Sequence, residues 1–150
     1  MKLAEALNLR ADTTKRLSHL SERLAANAKV QEGDSPAEDP SELLEELDRL
    51  TKQLEDLISR INLTNSKTLY EGKSLTEMIA AKDTLSLKSS ILRNFLSASS
   101  AKIDRYSNKE IRVVSTVNVR ELQKSSDEIS EEIRKLNVKI QELNWSTDLL

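Results

Sequence analysis

Leucine and isoleucine recur every three or four positions in four separate runs, and this constrains the chain more than any other feature. In residues 41–68, Leu43, Leu47, Leu50, Leu54, Leu57, Ile61, Thr64 and Thr68 follow steps of four and three. Such spacing keeps one stripe on one face of an α-helix, as in a coiled-coil seam. Leu44 and Ile58 widen the stripe, which suits a bundle better than an isolated two-stranded coil. Residues 119–143 repeat the pattern with Val119, Leu122, Ser126, Ile129, Ile133, Leu136, Ile140 and Leu143. Residues 3–28 carry Leu3, Leu7, Leu17, Leu20, Leu24 and Ala28, interrupted by Arg10 and by Thr13 or Thr14. Residues 75–103 differ in having two stripes. Leu85, Leu92, Leu96 and Ile103 form one; Leu87, Ile91, Phe95 and Ala98 form the other.

Helix starts are signposted by Asp39-Pro40-Ser41-Glu42, Ser74-Leu75-Thr76-Glu77 and Asn118-Val119-Arg120-Glu121. Each places a capping side chain three residues before a glutamate, and the first adds proline at the opening helical position. Gly33 and Gly72 fall in the first two connections, where a positive φ is easiest to accommodate. Four helices of about 25–29 residues would each be roughly 38–43 Å long. Equal lengths and a short turn at 70–73 favour an antiparallel up-down-up-down four-helix bundle, an all-α, coiled-coil-like fold in one domain over residues 1–150. One connection breaks the helical pattern. Ile111, Val113, Ser115 and Val117 alternate with Arg112, Val114 and Thr116, which predicts a short β segment near 109–117. Its backbone needs a partner, either residues 28–32 or the same segment of a second subunit.

Charged residues make up 32% of the 150 positions, against two glycines and two prolines. A net charge of −2 and the regular leucines argue for long solvated helices rather than disorder. The chain has no cysteine, so disulfides, thiolate metal sites and thiol nucleophiles are excluded. Glu5 and Asn8 interrupt the opening apolar run, unlike a secretory signal. No apolar stretch approaches the ~20 residues that span a bilayer. The expected location is cytoplasmic. Charge is uneven: residues 31–60 hold ten acids and three bases, residues 82–124 nine bases and four acids. The simplest account is attraction between neighbouring helices 2 and 3; a sharper one is the same pairing between subunits. Lys102, Arg105, Lys109 and Arg112 cluster near Tyr106, but the chain is acidic overall and shows no nucleic-acid-binding motif, so nucleic acid is not an expected partner.

Catalysis has little to build on. His19 is the only histidine, and its place beside Leu17 and Leu20 predicts a surface position. A dimetal bundle needs paired Glu-x-x-His motifs. There is no Gly-x-Ser-x-Gly elbow and no phosphate-cradling glycine loop. The expectation is a non-enzyme without metal or cofactor. Arg10, Thr14, Thr64, Asn65, Lys82, Ser89 and Ser99 fall in or near the stripes, where buried polar groups need partners. They read as register-setting polar layers, or, with Arg10 or Lys82 and Asp83 as lining, as a ligand cavity between helices. The second stripe on helix 3 exceeds what neighbouring helices can cover, so Leu87, Ile91 and Phe95 are candidate interface residues. Trp145 is a fourth candidate, as an anchor for another subunit or as a lid over Leu3 and Leu7.

Several stretches also carry a resemblance. Met1-Lys2-Leu3-Ala4-Glu5-Ala6-Leu7, Asn27-Ala28-Lys29-Val30-Gln31-Glu32-Gly33-Asp34 and Pro36-Ala37-Glu38-Asp39-Pro40 are the first three. Arg60-Ile61-Asn62-Leu63-Thr64-Asn65, Asp104-Arg105-Tyr106-Ser107, Val114-Ser115-Thr116-Val117 and Ile140-Gln141-Glu142-Leu143-Asn144-Trp145-Ser146-Thr147 are the rest. Together they resemble a family of small uncharacterised bacterial helical proteins, some of which are named septicolysin. The name implies a cytolytic toxin. The residues themselves point to a helical bundle that assembles with itself, through helix 3 or the 109–117 segment, as an interaction module. A membrane-active cytolysin is the alternative function, and a metal- or ligand-binding bundle is third.

Overall fold

Four helices follow one another in the computed structural model, which describes residues 1–100 and 112–150. They are α1 (Leu3–Ala26), α2 (Pro40–Lys67), α3 (Leu75–Ser100) and α4 (Val119–Ser146). Strands β1 (Leu69–Tyr70) and β2 (Lys73–Ser74) lie between α2 and α3. The chain is all-α, as the leucine spacing predicts. It divides into two compact units, residues 1–75 with 141–150, and residues 76–140.

In the first unit α1 and α2 run antiparallel. Leu20, Leu43 and Leu50 form a buried cluster, with Leu17, Leu24 and Leu47 packed against it. Burial of each such leucine contributes about 1.5–3 kcal/mol. Arg16 and Arg23 on α1 both reach Glu46 on α2, at 3.6 and 3.5 Å, and Arg23 Nε also donates to both carboxylate oxygens of Glu38, at 3.2 and 3.0 Å. Glu38 and Glu46, two of the acids of 31–60, thus pair with α1. Asp39 caps α2 by accepting from the Ser41 amide at 2.9 Å, with Pro40 at the first position.

Helix α1 stops at Ala26, two residues short of the predicted end. Asn27 holds the turn there: its Nδ2 donates to the Arg23 carbonyl at 2.8 Å, and its Oδ1 accepts from the Glu38 amide at 2.9 Å. A side chain that satisfies backbone groups on both sides ends a helix more effectively than the alanine beyond it extends one. Between α2 and α3 the chain makes a hairpin in which Leu69 pairs with Ser74 and Tyr70 with Lys73. Glu71 and Gly72 both take positive φ, 50° and 80°, the conformation of the tight turns that match strand twist.

The last ten residues close this unit. The Leu3 amide donates to the Thr147 carbonyl and the Leu149 amide to the Met1 carbonyl, both at 2.9 Å. Lys2 Nζ lies 2.8 Å from Asp148. On α2, Arg60 Nε donates to the Leu150 carbonyl at 2.8 Å, and Thr64 Oγ1 accepts from the Leu150 amide at 3.0 Å.

The second unit holds α3 and most of α4. Met78, Ser89 and Leu96 on α3 and Ser126, Ile129 and Ile140 on α4 are buried. Asn118 caps α4, accepting from the Glu121 amide at 3.2 Å. In the described part of the predicted β segment, residues 112–117, there is no strand, and there is none in 28–32. The alternation of Val113 and Ser115 gains nothing, since residues 112–116 are exposed on both faces. Ser115 instead makes a local turn, its hydroxyl accepting from the Val117 amide at 3.4 Å, and leads into the Asn118 cap. Residues 109–111 of that segment, the end of the predicted helix at 101–103, and Lys102, Arg105, Tyr106 and Lys109 lie outside the described residues.

Candidate interaction surface

Helix α3 is apolar on two faces, and only one of them is buried. Leu75 and Met78 begin the inner face, which continues through Leu85, Ser89, Leu92 and Leu96. The outer face carries Leu87, Ile91 and Phe95 at steps of four, a spacing that lines side chains up along a helix. These three are 62%, 58% and 44% exposed. Hydroxyls on the same helix are turned inward on the backbone rather than outward: Ser86 donates to the Lys82 carbonyl at 2.8 Å and Ser99 to the Phe95 carbonyl at 2.7 Å. The outer face is left with apolar atoms and few competing donors.

Beside Phe95 the surface dips into an open cleft of about 400 Å³, lined by Phe95, Ala98, Ser99 and residues 113–116. Val113 and Val114 border it at 67% and 69% exposure. The apolar patch thus extends from α3 onto the segment that precedes α4. Exposed, contiguous apolar patches of this kind mark contact surfaces.

The other clefts are chemically poorer. Ser86, Ser89, Arg93, Ser130 and Ile133 line one of about 230 Å³ between α3 and α4. Ser86 and Ser130 already donate to their own helices, which leaves the Arg93 guanidinium as the charged donor there. Leu9, Asp12, Thr13, Lys15, Arg16 and His19 line a groove of about 290 Å³ on α1. His19 is exposed, as are Asp12, Lys15 and Arg16. Among the described residues, no group of three or more histidine, aspartate or glutamate side chains is placed to hold a metal ion. Also among them, no helix is long and apolar enough to cross a membrane.

The predicted polar seam is only partly inside. Thr64 is buried, and its hydroxyl donates to the Arg60 carbonyl at 2.8 Å. Asn65 is half-buried, and its Oδ1 is enclosed without a hydrogen-bond partner. Arg10 and Lys82 are half-buried, while Asp83 is exposed and 3.6 Å from Lys82. A carboxylate stays in water unless burial brings it several donors, and Asp83 pairs with its sequence neighbour at the surface. Thr13 takes the inside position that the sequence left open between it and Thr14, donating to the Leu9 carbonyl at 2.8 Å. Asn27 and Asn144, both buried, were missed; the signal for Asn27 was its place at the end of a periodic run. Trp145 sits in the last turn of α4 and is exposed.

No curated protein matches this chain. Among solved structures, the chain is similar to a functionally unknown conserved protein from Corynebacterium diphtheriae, known from a crystal structure. The two are 44% identical, the match covers 100% of this chain and 99% of the other, and the TM-score is 0.91. A family match spans residues 10–149, and on that extent the chain belongs to DUF6847, a family of unknown function.

Proposed function

We propose that this protein is a non-enzymatic helical interaction module that assembles with itself through the outer face of α3. The observation that carries the reading is the row of Leu87, Ile91 and Phe95, each large, apolar and about half exposed or more. The adjoining Val113 and Val114 enlarge the patch beyond scattered surface leucines, which need no explanation. Light scattering at micromolar concentration tests it. The expected mass is a multiple of 16.9 kDa. Ile91→Glu, which places a charge at the centre of the patch, is expected to weaken association by about 100-fold, the scale of one buried aliphatic side chain. A single-chain mass for the natural protein removes the proposal.

A membrane-active role, as the septicolysin resemblance implies, is the second reading. It is favoured by Lys88, which flanks the same apolar face and gives it the makings of a helix lying in a bilayer interface. Dye release from vesicles containing anionic lipid separates the two readings. Self-assembly without leakage supports the first, and leakage abolished by Ile91→Glu supports the second.

A further inference from the structure

We propose that the cleft between α3 and α4 binds a small oxyanion that bears its own hydroxyl group, the chemistry of hydrogen phosphate. The proposal is independent of self-assembly. Ser89 and Arg93 each stand two positions from Ile91 on α3, and residues two apart on a helix do not share a face. The cleft owes its existence to Ser89. This residue continues the inner stripe between Leu85 and Leu92, at a place where a leucine would fill the space. Its short side chain leaves about 230 Å³ between Ser86, Ser89 and Arg93 on α3 and Ser130 and Ile133 on α4. Sites for drug-sized ligands have roughly 300–1,000 Å³, so the occupant is a smaller molecule.

The cleft offers few donors, but those it offers are free. A serine within a helix commonly donates to the carbonyl four residues back, as Ser86 and Ser130 do. Ser89 is 4% exposed and lines the cleft, yet among the described residues no group hydrogen-bonds its hydroxyl. A buried hydroxyl without a partner is unfavourable, and a ligand that supplies one removes the penalty. Arg93 is the charged side chain at the cleft and no carboxylate lines it; among the described residues Arg93 forms no ion pair. A guanidinium presents a planar fork that matches the oxygens of an oxyanion. Arg93 and Ser89 are thus the donors. The Ser86 and Ser130 oxygens, with their protons engaged by their own helices, offer lone pairs instead. A ligand that satisfies both sets needs negatively charged oxygens and an O–H of its own. Hydrogen phosphate has both, whereas sulfate, of the same shape, has no proton to give at neutral pH.

Isothermal titration calorimetry of the full chain with inorganic phosphate, at fixed ionic strength, tests this. Saturable binding is expected, with sulfate bound about 3–10-fold more weakly for want of the hydroxyl. Arg93 is exposed, so Arg93→Gln is expected to keep the fold, which circular dichroism checks, and to weaken phosphate binding by about 10–100-fold. Ser89→Ala is expected to weaken it by about 2–10-fold. That variant also separates a ligand role from a structural one. An unpaired hydroxyl adds no bond to the folded chain, so without phosphate the melting temperature of Ser89→Ala is expected to equal or exceed that of the natural chain. Glycerol phosphate, titrated alongside, tells a phosphate ester from the free ion; tighter binding of either, lost in Arg93→Gln, supports the site. The absence of saturable phosphate binding overturns the proposal. So does phosphate binding that Arg93→Gln leaves unchanged, or equal binding of phosphate and sulfate that salt abolishes, the mark of an adventitious ion only. A single-chain mass by light scattering removes self-assembly and leaves this site standing, so the two proposals fail separately.

Discussion

The Thr64 hydroxyl serves two backbone groups at once, donating to Arg60 in its own helix and accepting from the Leu150 amide. Thr64→Val keeps the shape and removes both bonds. The expected loss is about 1–3 kcal/mol, because the Leu150 amide is left without its acceptor; denaturant unfolding measures it. Asn27 bridges the Arg23 carbonyl and the Glu38 amide in the same way. Four carboxylates, the half-buried Glu38 and three exposed ones, are held below their ordinary values by neighbours: Glu38 by Arg23, Asp39 by Ser41, Glu131 by Lys135 and Asp148 by Lys2. Each has a folded value below its unfolded one. The stability they add is therefore complete above the usual carboxylate range, about pH 4, and is lost as pH falls through the folded values. The melting temperature is expected to be flat from neutral pH down to about 5 and to fall below about 4. A melting temperature that rises on acidification contradicts this.

At the scale of elements, the two faces of α3 and the single face of α2 give opposite expectations for truncation. Leu50 is fully buried between α1 and α2, and Leu50→Ala is expected to cost about 2–5 kcal/mol. Leu87→Ser is expected to change monomer stability by no more than about 0.5 kcal/mol, so its effects appear in association alone. In the hairpin, Glu71 occupies a left-handed conformation that asparagine adopts more readily. Glu71→Asn is expected to raise stability by about 0.5–1 kcal/mol, read by thermal or denaturant unfolding. Leu43, Leu50, Leu57 and Ile61 were legible because period and burial coincide along α2, and Asp39 and Asn118 because their caps are local chemistry. The β segment expected near 109–117 has no strand in its described part because alternation specifies a strand only where one face is buried, and Val113 and Val114 are both exposed. Arg10, Asn65 and Lys82 could not be placed from spacing, since half-burial depends on which neighbouring side chain reaches over them. Charge composition shows that an acid-rich helix needs bases, but not that Arg16 and Arg23 supply them.

At the scale of the whole molecule, the proposed self-assembly covers the outer face of α3. The apolar row of Leu87, Ile91 and Phe95 and the neighbouring valines are the contact with a second copy that we propose. Sedimentation equilibrium of the natural chain and of Ile91→Glu, over a dilution series, tests this most directly. The account predicts a natural chain that shifts from a heavier species toward 16.9 kDa on dilution, and a variant that stays at 16.9 kDa throughout. Equal single-chain masses for both proteins at every concentration would contradict it.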